Sequence, residues 1–235
     1  MKLKHHEDLG VKIDLVKAYH LLAHAQLDDL TYTHLSARPK GANYYYIYSF
    51  GLLFNQVHVD NLIKVKLDGK NFKQDLGETN PTGHVIHANI YQARPDINAI
   101  FHLHTEAGVA VSSLECGLLP VSQWALHFYE EVAYHPYQSL VLDFQIQGQK
   151  LIKDLGQKFV MFLQNHGTLC AGTTIPEALF FTHHLEKACR SQLKMMACQV
   201  PLVQPSHATC LESKKALLNF EKNLGQRDWE ALKRT

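Results

Sequence analysis

The sequence predicts a single α/β domain, with a core over about residues 10–200 and a C-terminal tail over residues 201–235. Three observations point there. Segments with apolar residues at helical spacing interleave with short segments rich in β-branched and aromatic residues, as in helices packed on a sheet. With 46% hydrophobic and 19% charged residues, the 235-residue chain has the length and composition to bury one large core. No Pro/Gly/Ser-rich linker, internal repeat or low-complexity tract divides it.

In chain order, residues 11–26 read as an amphipathic helix, with Leu15, Ala18, Tyr19 and Leu22 on one face and Lys17 and His20 on others. Residues 33–38 (THLSAR) and 44–48 (YYYIY) flank the turn-forming segment from Pro39 to Asn43 and read as an early pair of strands. Residues 62–69 (LIKVKLDG) alternate as a half-buried strand should and end on the turn signal Asp68-Gly69. Pro81-Thr-Gly-His84 opens a helix to about residue 94, because Pro95 disfavours helical geometry at Arg94. Residues 97–104 read as a strand, 105–115 as a helix capped by Thr105, and 159–164 as another strand. Thr174-Ile-Pro-Glu177 has the pattern of a capping box. It precedes a long helix whose core stripe is Phe181, Leu185, Ala188, Gln192 and Met195, with one polar interruption. Residues 201–209 read as loosely structured.

Lys and Arg (23) nearly cancel Asp and Glu (22), which leaves no general attraction to nucleic acid or to anionic membranes. Neither is an expected partner. The N-terminus lacks an apolar stretch of signal-peptide length, and no later run approaches the roughly 18 residues that span a bilayer. The five cysteines (Cys116, Cys170, Cys189, Cys198 and Cys210) are odd in number and contain no CxxC pair, which fits reduced thiols in a cytoplasmic protein. The 16 histidines are unusual, but composition does not separate ligands from structural residues.

Spacing does more. In Ile100-Phe-His-Leu-His104, strand alternation puts His102 and His104 on one face and Phe101 and Leu103 on the other. Two such imidazoles can reach one ion at roughly 2.0–2.1 Å. A second contribution comes from the apolar run 159–164, which ends in Asn165-His166-Gly167, with Gly167 expected to permit a sharp turn. Three neutral imidazoles with open positions describe a catalytic-type divalent metal, zinc by first preference. The barrel folds that use an HxH pair need eight βα units, which this chain is too short and irregular to supply, and cupins lack its helices. Spacing alone leaves both a metal site and ordinary structural histidines open. Glu106 is expected in the first turn of the helix after His104, where the helix dipole favours it.

Residues 80–105 resemble the class II aldolase/adducin family, specifically its adducin-like bacterial branch. So do residues 33–38, 50–54, 62–69, 123–137, 165–167 and 228–233. The resemblance runs from about residue 10 to the C-terminus. It implies a three-layer α/β/α sandwich around a central, mostly antiparallel sheet, assembled as a homotetramer. It also implies that His102, His104 and His166 match the family's zinc-ligand positions, for Zn2+ or another divalent metal. In the family's sugar-phosphate aldolases and epimerases, zinc chelates the oxygens of a ketose and stabilises an enediolate, and a carboxylate moves the proton.

The departures from that pattern matter as much. The family's acidic residue falls on Gly83, which can neither transfer a proton nor ligate a metal. The Gly-Asn pair that helps hold a substrate phosphate falls on Thr33-His34. A Pro-Thr-Gly loop with the same job falls on Ser49-Phe50-Gly51, of which only the glycine survives. Thr33, His34, Gly51 and Gly83 are thus the expected substrate-pocket positions. Replacement proton carriers are His84, at a helix start that would lower its pKa, and Glu106. Glu130, Glu131 and Tyr129 are further candidates, each with a plainer explanation in a solvated face or in packing. His87 and His135 are expected to support the fold, and His183 and His184 to be ordinary helix residues. The expected function is a zinc-dependent, aldolase-type lyase acting on a small hydroxy-carbonyl compound without a terminal phosphate. The alternative is a non-enzymatic adducin-like module for oligomerisation or protein binding.

Overall fold

The computed structural model describes residues 2–68 and 77–234, so Gly69 of the expected Asp68-Gly69 turn lies outside the described residues. The strands are β1 (His34–Ala37), β2 (Tyr44–Tyr48), β3 (Leu62–Lys66), β4 (Ala99–Leu103), β5 (Val132–His135), β6 (Val160–Leu163) and β7 (Gly167–Gly172). They form one open sheet in the order β3-β2-β1-β4-β7-β6-β5. Every neighbouring pair is antiparallel except β5 with β6. The helices are α1 (Lys2–His24), α2 (Pro81–Ala93), α3 (Glu106–Ser112), α4 (Gln123–Leu126), α5 (Ile146–Leu155), α6 (Ile175–Ala197), α7 (His207–Leu218) and α8 (Gln226–Leu232).

Alternation along β1 sorts the helices into two layers. Leu35 points to α1, where the Tyr19 hydroxyl donates to its carbonyl and accepts from its amide. Ser36 points the other way, to His87 and Tyr91 of α2. Helix α2 packs with α5 on that second face, where Asn89 donates to the Phe144 carbonyl at 3.2 Å. On the first face, Phe181, Leu185 and Cys189 of α6 pack on Phe162 of β6 and Cys170 of β7. The fold is therefore α/β, with a mostly antiparallel sheet flanked by helices. Because His34 of β1 is the register partner of His102 of β4, both side chains fall on the α2 face.

The expected helices and strands occur, with differences that have local causes. Helix α1 begins at Lys2, well before residue 11. Its expected face of Leu15, Ala18, Tyr19 and Leu22 is buried, each fully buried leucine contributing about 1.5–3 kcal/mol over an exposed one. Strand β7 was missed because GTLCAG neither alternates nor carries β-branched residues beyond Thr168. It is buried on both faces, so alternation has no solvent side to report. Thr174 caps α6 by accepting from the Glu177 amide, but the Glu177 carboxylate reaches back to the Thr173 amide and hydroxyl instead of the cap residue's own amide. The polar interruption Gln192 is fully buried and ties down a loop, donating to Gly117 O and accepting from Leu119 N. In the segment expected to be loose, Ser206 caps α7 from His207 onward, accepting from the Thr209 amide. Farther on, Trp229 of α8 is 1% exposed in the main core.

Candidate metal centre

His102 sits near the end of β4, His104 just beyond it, and His166 in the turn between β6 and β7. Their ligand-capable nitrogens all lie within 4.8 Å of one another. The approach is set by the β4–β7 pairing and by a tight turn. Asn165 takes the left-handed conformation at φ 58°, which asparagine tolerates better than most residues. Gly167 was expected to be the flexible point, but its φ is not positive, and its role is close approach. A Cβ there would stand 2.4 Å from the Leu103 carbonyl oxygen, so only glycine lets the turn close on β4.

The tautomers of two of the three imidazoles follow from their partners. The Nδ1–H of His102 donates to the Thr168 carbonyl at 2.9 Å. The Nδ1–H of His104 donates to Asp29 Oδ2 at 3.0 Å. Carbonyl and carboxylate oxygens only accept, so Nδ1 carries a proton in both rings and Nε2 is the nitrogen turned to the cluster. These two atoms are 3.0 Å apart, and His104 Nε2 is 2.9 Å from His166 Nε2. Lone pairs at that separation repel unless a cation lies among them. On His102 a proton is disfavoured: burial, helped by His104, His166 and His34, holds it well below the usual histidine range. Burial, with His104 and His135 adding to it, brings His166 down to about 4. Nitrogens around one tetrahedral zinc at roughly 2.0–2.1 Å stand about 3.3 Å apart. The donor set therefore fits a divalent metal, with Thr168 and Asp29 supplying the outer hydrogen bonds that orient such ligands.

The other expected residues have varied placements. His34 is buried against the cluster, its ring centroid 5.0 Å from that of His102. Gly83 faces His34 directly: a Cβ on Gly83 would stand 3.1 Å from that ring. Thr33 is fully buried, and its hydroxyl accepts from the Asp29 amide at 3.4 Å, so it braces the residue that orients His104. Gly51 is exposed, with φ 97° and open space around it. His84, in the first turn of α2, meets the Tyr45 hydroxyl at 2.9 Å and stacks on Phe144. Its pKa is lowered as expected, but by burial. Glu106 is exposed in the first turn of α3 and outside the three-histidine group. Glu131 pairs with Lys214 of α7 at 2.7 Å, the Tyr129 hydroxyl meets His207 at 2.8 Å, and Glu130 lies 3.8 Å from His207. His135 is held by Asp154 at 2.7 Å. Asp29 itself escaped the sequence reading, because an acidic pair before a strand has no signature of its partner 75 residues away. All five cysteines are free, and no helix among the described residues is long and apolar enough to cross a membrane.

Residues 13–193 match the class II aldolase and adducin N-terminal domain family, and the chain belongs to that family. An aldolase II superfamily protein from Pseudomonas syringae superposes with a TM-score of 0.88 at 37% identity, over 97% of this chain and 92% of that one. An L-fuculose 1-phosphate aldolase from Glaciozyma antarctica PI12 gives a TM-score of 0.79 at 30% identity, over 90% of this chain and 82% of that one. Alpha-adducin of Rattus norvegicus is 40% identical over 176 residues, which are 72% of this chain but 23% of that protein.

Proposed function

We propose that this chain is a metal-dependent lyase of aldolase type, zinc by first preference, acting on a small hydroxy-carbonyl compound without a terminal phosphate. The observation that carries this reading is the convergence of three ring nitrogens, with Nε2 of His104 3.0 Å from that of His102 and 2.9 Å from that of His166. His102, His104 and His166 would hold the metal. When bound, it supplies Lewis-acid polarisation of the substrate's hydroxyl and carbonyl oxygens. Thr168 and Asp29 keep the ligand rings in the metal-binding tautomer, and Thr33 braces Asp29. Gly83 stands where the family's acidic residue falls, and His34 fills the space beside it. Phe50, 40% exposed in the loop expected to cradle a phosphate, carries no hydrogen-bonding side chain for one. A homotetramer in the cytoplasm is the assembly and compartment this reading expects.

Elemental analysis of the purified protein tests the metal, with stoichiometric zinc expected and its absence counting against the site. A screen of unphosphorylated against phosphorylated hydroxy-ketones, with and without chelator, tests the reaction. Chelator-sensitive cleavage of unphosphorylated compounds is expected, and turnover confined to phosphorylated ones would contradict the reading. A second reading, an adducin-like oligomerisation or binding module, draws on the 40% identity to rat alpha-adducin and on Gly83. Zinc-loaded protein that cleaves nothing in the screen would favour it.

A further inference from the structure

Strand pairing holds only one of the two histidines in the His102-Leu103-His104 run. Leu103, paired with Thr168, is the last residue of β4, so His104 stands one residue beyond the ladder. Its ring has Asp29 as a partner, but that carboxylate comes from the segment between α1 and β1 and is 43% exposed. The backbone that aims the ring requires a separate hold.

Thr105 supplies it. Its backbone stays extended, at φ −66° and ψ 145°, so the alternation of β4 continues past the ladder. Leu103 and Thr105 then fall on the α6 face, and His102 and His104 on the α2 face. Glu186 of α6 accepts from the Thr105 hydroxyl at 2.6 Å. The hydroxyl oxygen in turn accepts from the Gly108 amide at 3.1 Å and so caps α3. An amide only donates and a carboxylate paired with a guanidinium only accepts, so the one hydroxyl proton goes to Glu186. The other carboxylate oxygen is taken by Arg190 Nε, one turn along α6. Thr105 and Glu186 are both buried. Gly108 closes the assembly: a Cβ there would stand 2.7 Å from Thr105 Oγ1 and 2.8 Å from Thr168 Cγ2. Thr168 is the residue whose carbonyl accepts from His102.

We infer that Glu186 is a positioning residue for the metal centre: through the Thr105 hydroxyl it anchors the backbone beyond β4 to α6 and so aims His104 at His102 and His166. The inference rests on the metal-dependent reading above. Fold stability is a poor account of the same bond. A buried ion pair commonly adds little over an apolar residue of similar volume, and the α6 neighbours Leu185 and Cys189 are already core residues. What a carboxylate adds is direction. It accepts a short, charge-assisted bond from one hydroxyl, and that hydroxyl belongs to the residue next to His104. Apolar contact would hold α3 against α6 but would not fix the turn of the backbone at His104.

The test uses the full chain and reads the metal rather than turnover. In a zinc competition titration, Glu186→Gln should bind about tenfold more weakly than wild type, the lower end of the range for losing a ligand's outer partner. Thr105→Val, which removes the hydroxyl and also uncaps α3, should lose at least as much. Thr105→Ser, which keeps the hydroxyl, should retain most of the wild-type affinity. The double variant Glu186→Gln/Thr105→Val should bind no more weakly than Thr105→Val alone, since both changes cut one linkage. Gln192→Leu alters another fully buried polar side chain of α6 and should lower Tm with zinc affinity unchanged. In cobalt-loaded protein, the visible ligand-field bands should shift in Glu186→Gln and Thr105→Val and match wild type in Thr105→Ser and Gln192→Leu. Wild-type affinity and bands in Glu186→Gln overturn the inference alone. So do additive losses in the double variant, or an equal loss in Gln192→Leu. If Glu186→Gln does not fold, equal zinc affinity in Thr105→Val and Thr105→Ser overturns it instead. Wild type that binds neither zinc nor cobalt overturns the metal reading, and this role with it.

Discussion

Of the histidine groups among the described residues, the one around His102 and the one around His184 make a useful pair, and of these two the first brings its ligand-capable nitrogens together. In the first, His102 and His104 spend their Nδ1 protons on Thr168 and Asp29 and bring their Nε2 atoms together with that of His166. In the second, His127 and His184 stand with ring centroids 4.6 Å apart, and His183 adjoins His184. There the Nδ1 protons go to the Trp124 and Phe180 carbonyls of each residue's own helical segment, at 3.2 and 2.9 Å, and the His184 ring stacks on Phe180 at 3.9 Å. Burial depresses the pKa of His102 and His166 in the first and of His127, His183 and His184 in the second, with His166 and His184 each brought to about 4. Histidine density and a lowered pKa therefore do not mark a metal site. What separates the two is convergence of the Nε2 atoms, which requires partners on other elements, Thr168 and Asp29, to fix the rings of His102 and His104.

The sharpest way to break this contrast is to remove one histidine from each cluster. His102→Ala should abolish zinc binding in elemental analysis, and His184→Ala should leave it stoichiometric. Zinc at about 1,000 times its dissociation constant stabilises a protein by about 4 kcal/mol, or roughly 8–16 °C in Tm at this chain length. Differential scanning fluorimetry should show that gain in wild type and His184→Ala and none in His102→Ala. Zinc retained in His102→Ala would sink the site.

A smaller effect is expected one layer out. Asp29→Asn should weaken zinc affinity by about 10–100-fold, the usual cost of losing a ligand's orienting carboxylate. An unchanged affinity in a competition titration would mean that His104 is oriented without Asp29. Next in size is Gly167→Ala, whose added methyl meets the Leu103 carbonyl. It should destabilise by about 1–3 kcal/mol, as overpacking commonly does, and should weaken zinc binding as His166 moves away from β4. A Tm equal to that of wild type would show that the turn has slack.

Acid should affect both clusters, with a separable signature. His184 has its folded pKa lowered from 6.5 to about 4, chiefly by burial. Between those values the unfolded chain takes up a proton that the folded chain declines, so stability falls as pH drops through this window. In metal-free protein, His184→Gln should flatten the stability curve from about pH 6.5 to 4 by up to about one proton. The zinc-dependent part of the curve should persist in that variant, because protons compete with the metal at the other cluster. An unaltered metal-free curve in His184→Gln would show that the ring titrates alike in both states.

Much of the fold was legible because its elements report their environment locally. The α1 face of Leu15, Tyr19 and Leu22, the paired strands around Pro39–Asn43 and the Asn80-Pro81 helix start each carry their signal within a few residues. Strand β7 was not legible, because burial on both faces erases alternation. Of the site, the HxH spacing and the Asn165-His166-Gly167 corner could be read. The reason for Gly167 could not, since the atom it avoids belongs to Leu103. Asp29, Thr168 and Glu186 were also out of reach.

The sequence by itself determined the α/β class through local periodicity, the family through the resemblance of its motifs, and the three histidines of the candidate centre through the HxH spacing and the Asn165-His166-Gly167 corner. The tertiary structure decided which nitrogen of His102 and of His104 turns to the cluster, which residue fills the space beside Gly83, and which histidine cluster converges. Those properties depend on hydrogen bonds between residues 53 to 75 positions apart along the chain, such as His34 with His87 and His104 with Asp29. Only the packed sheet and its α2 layer bring such partners within reach.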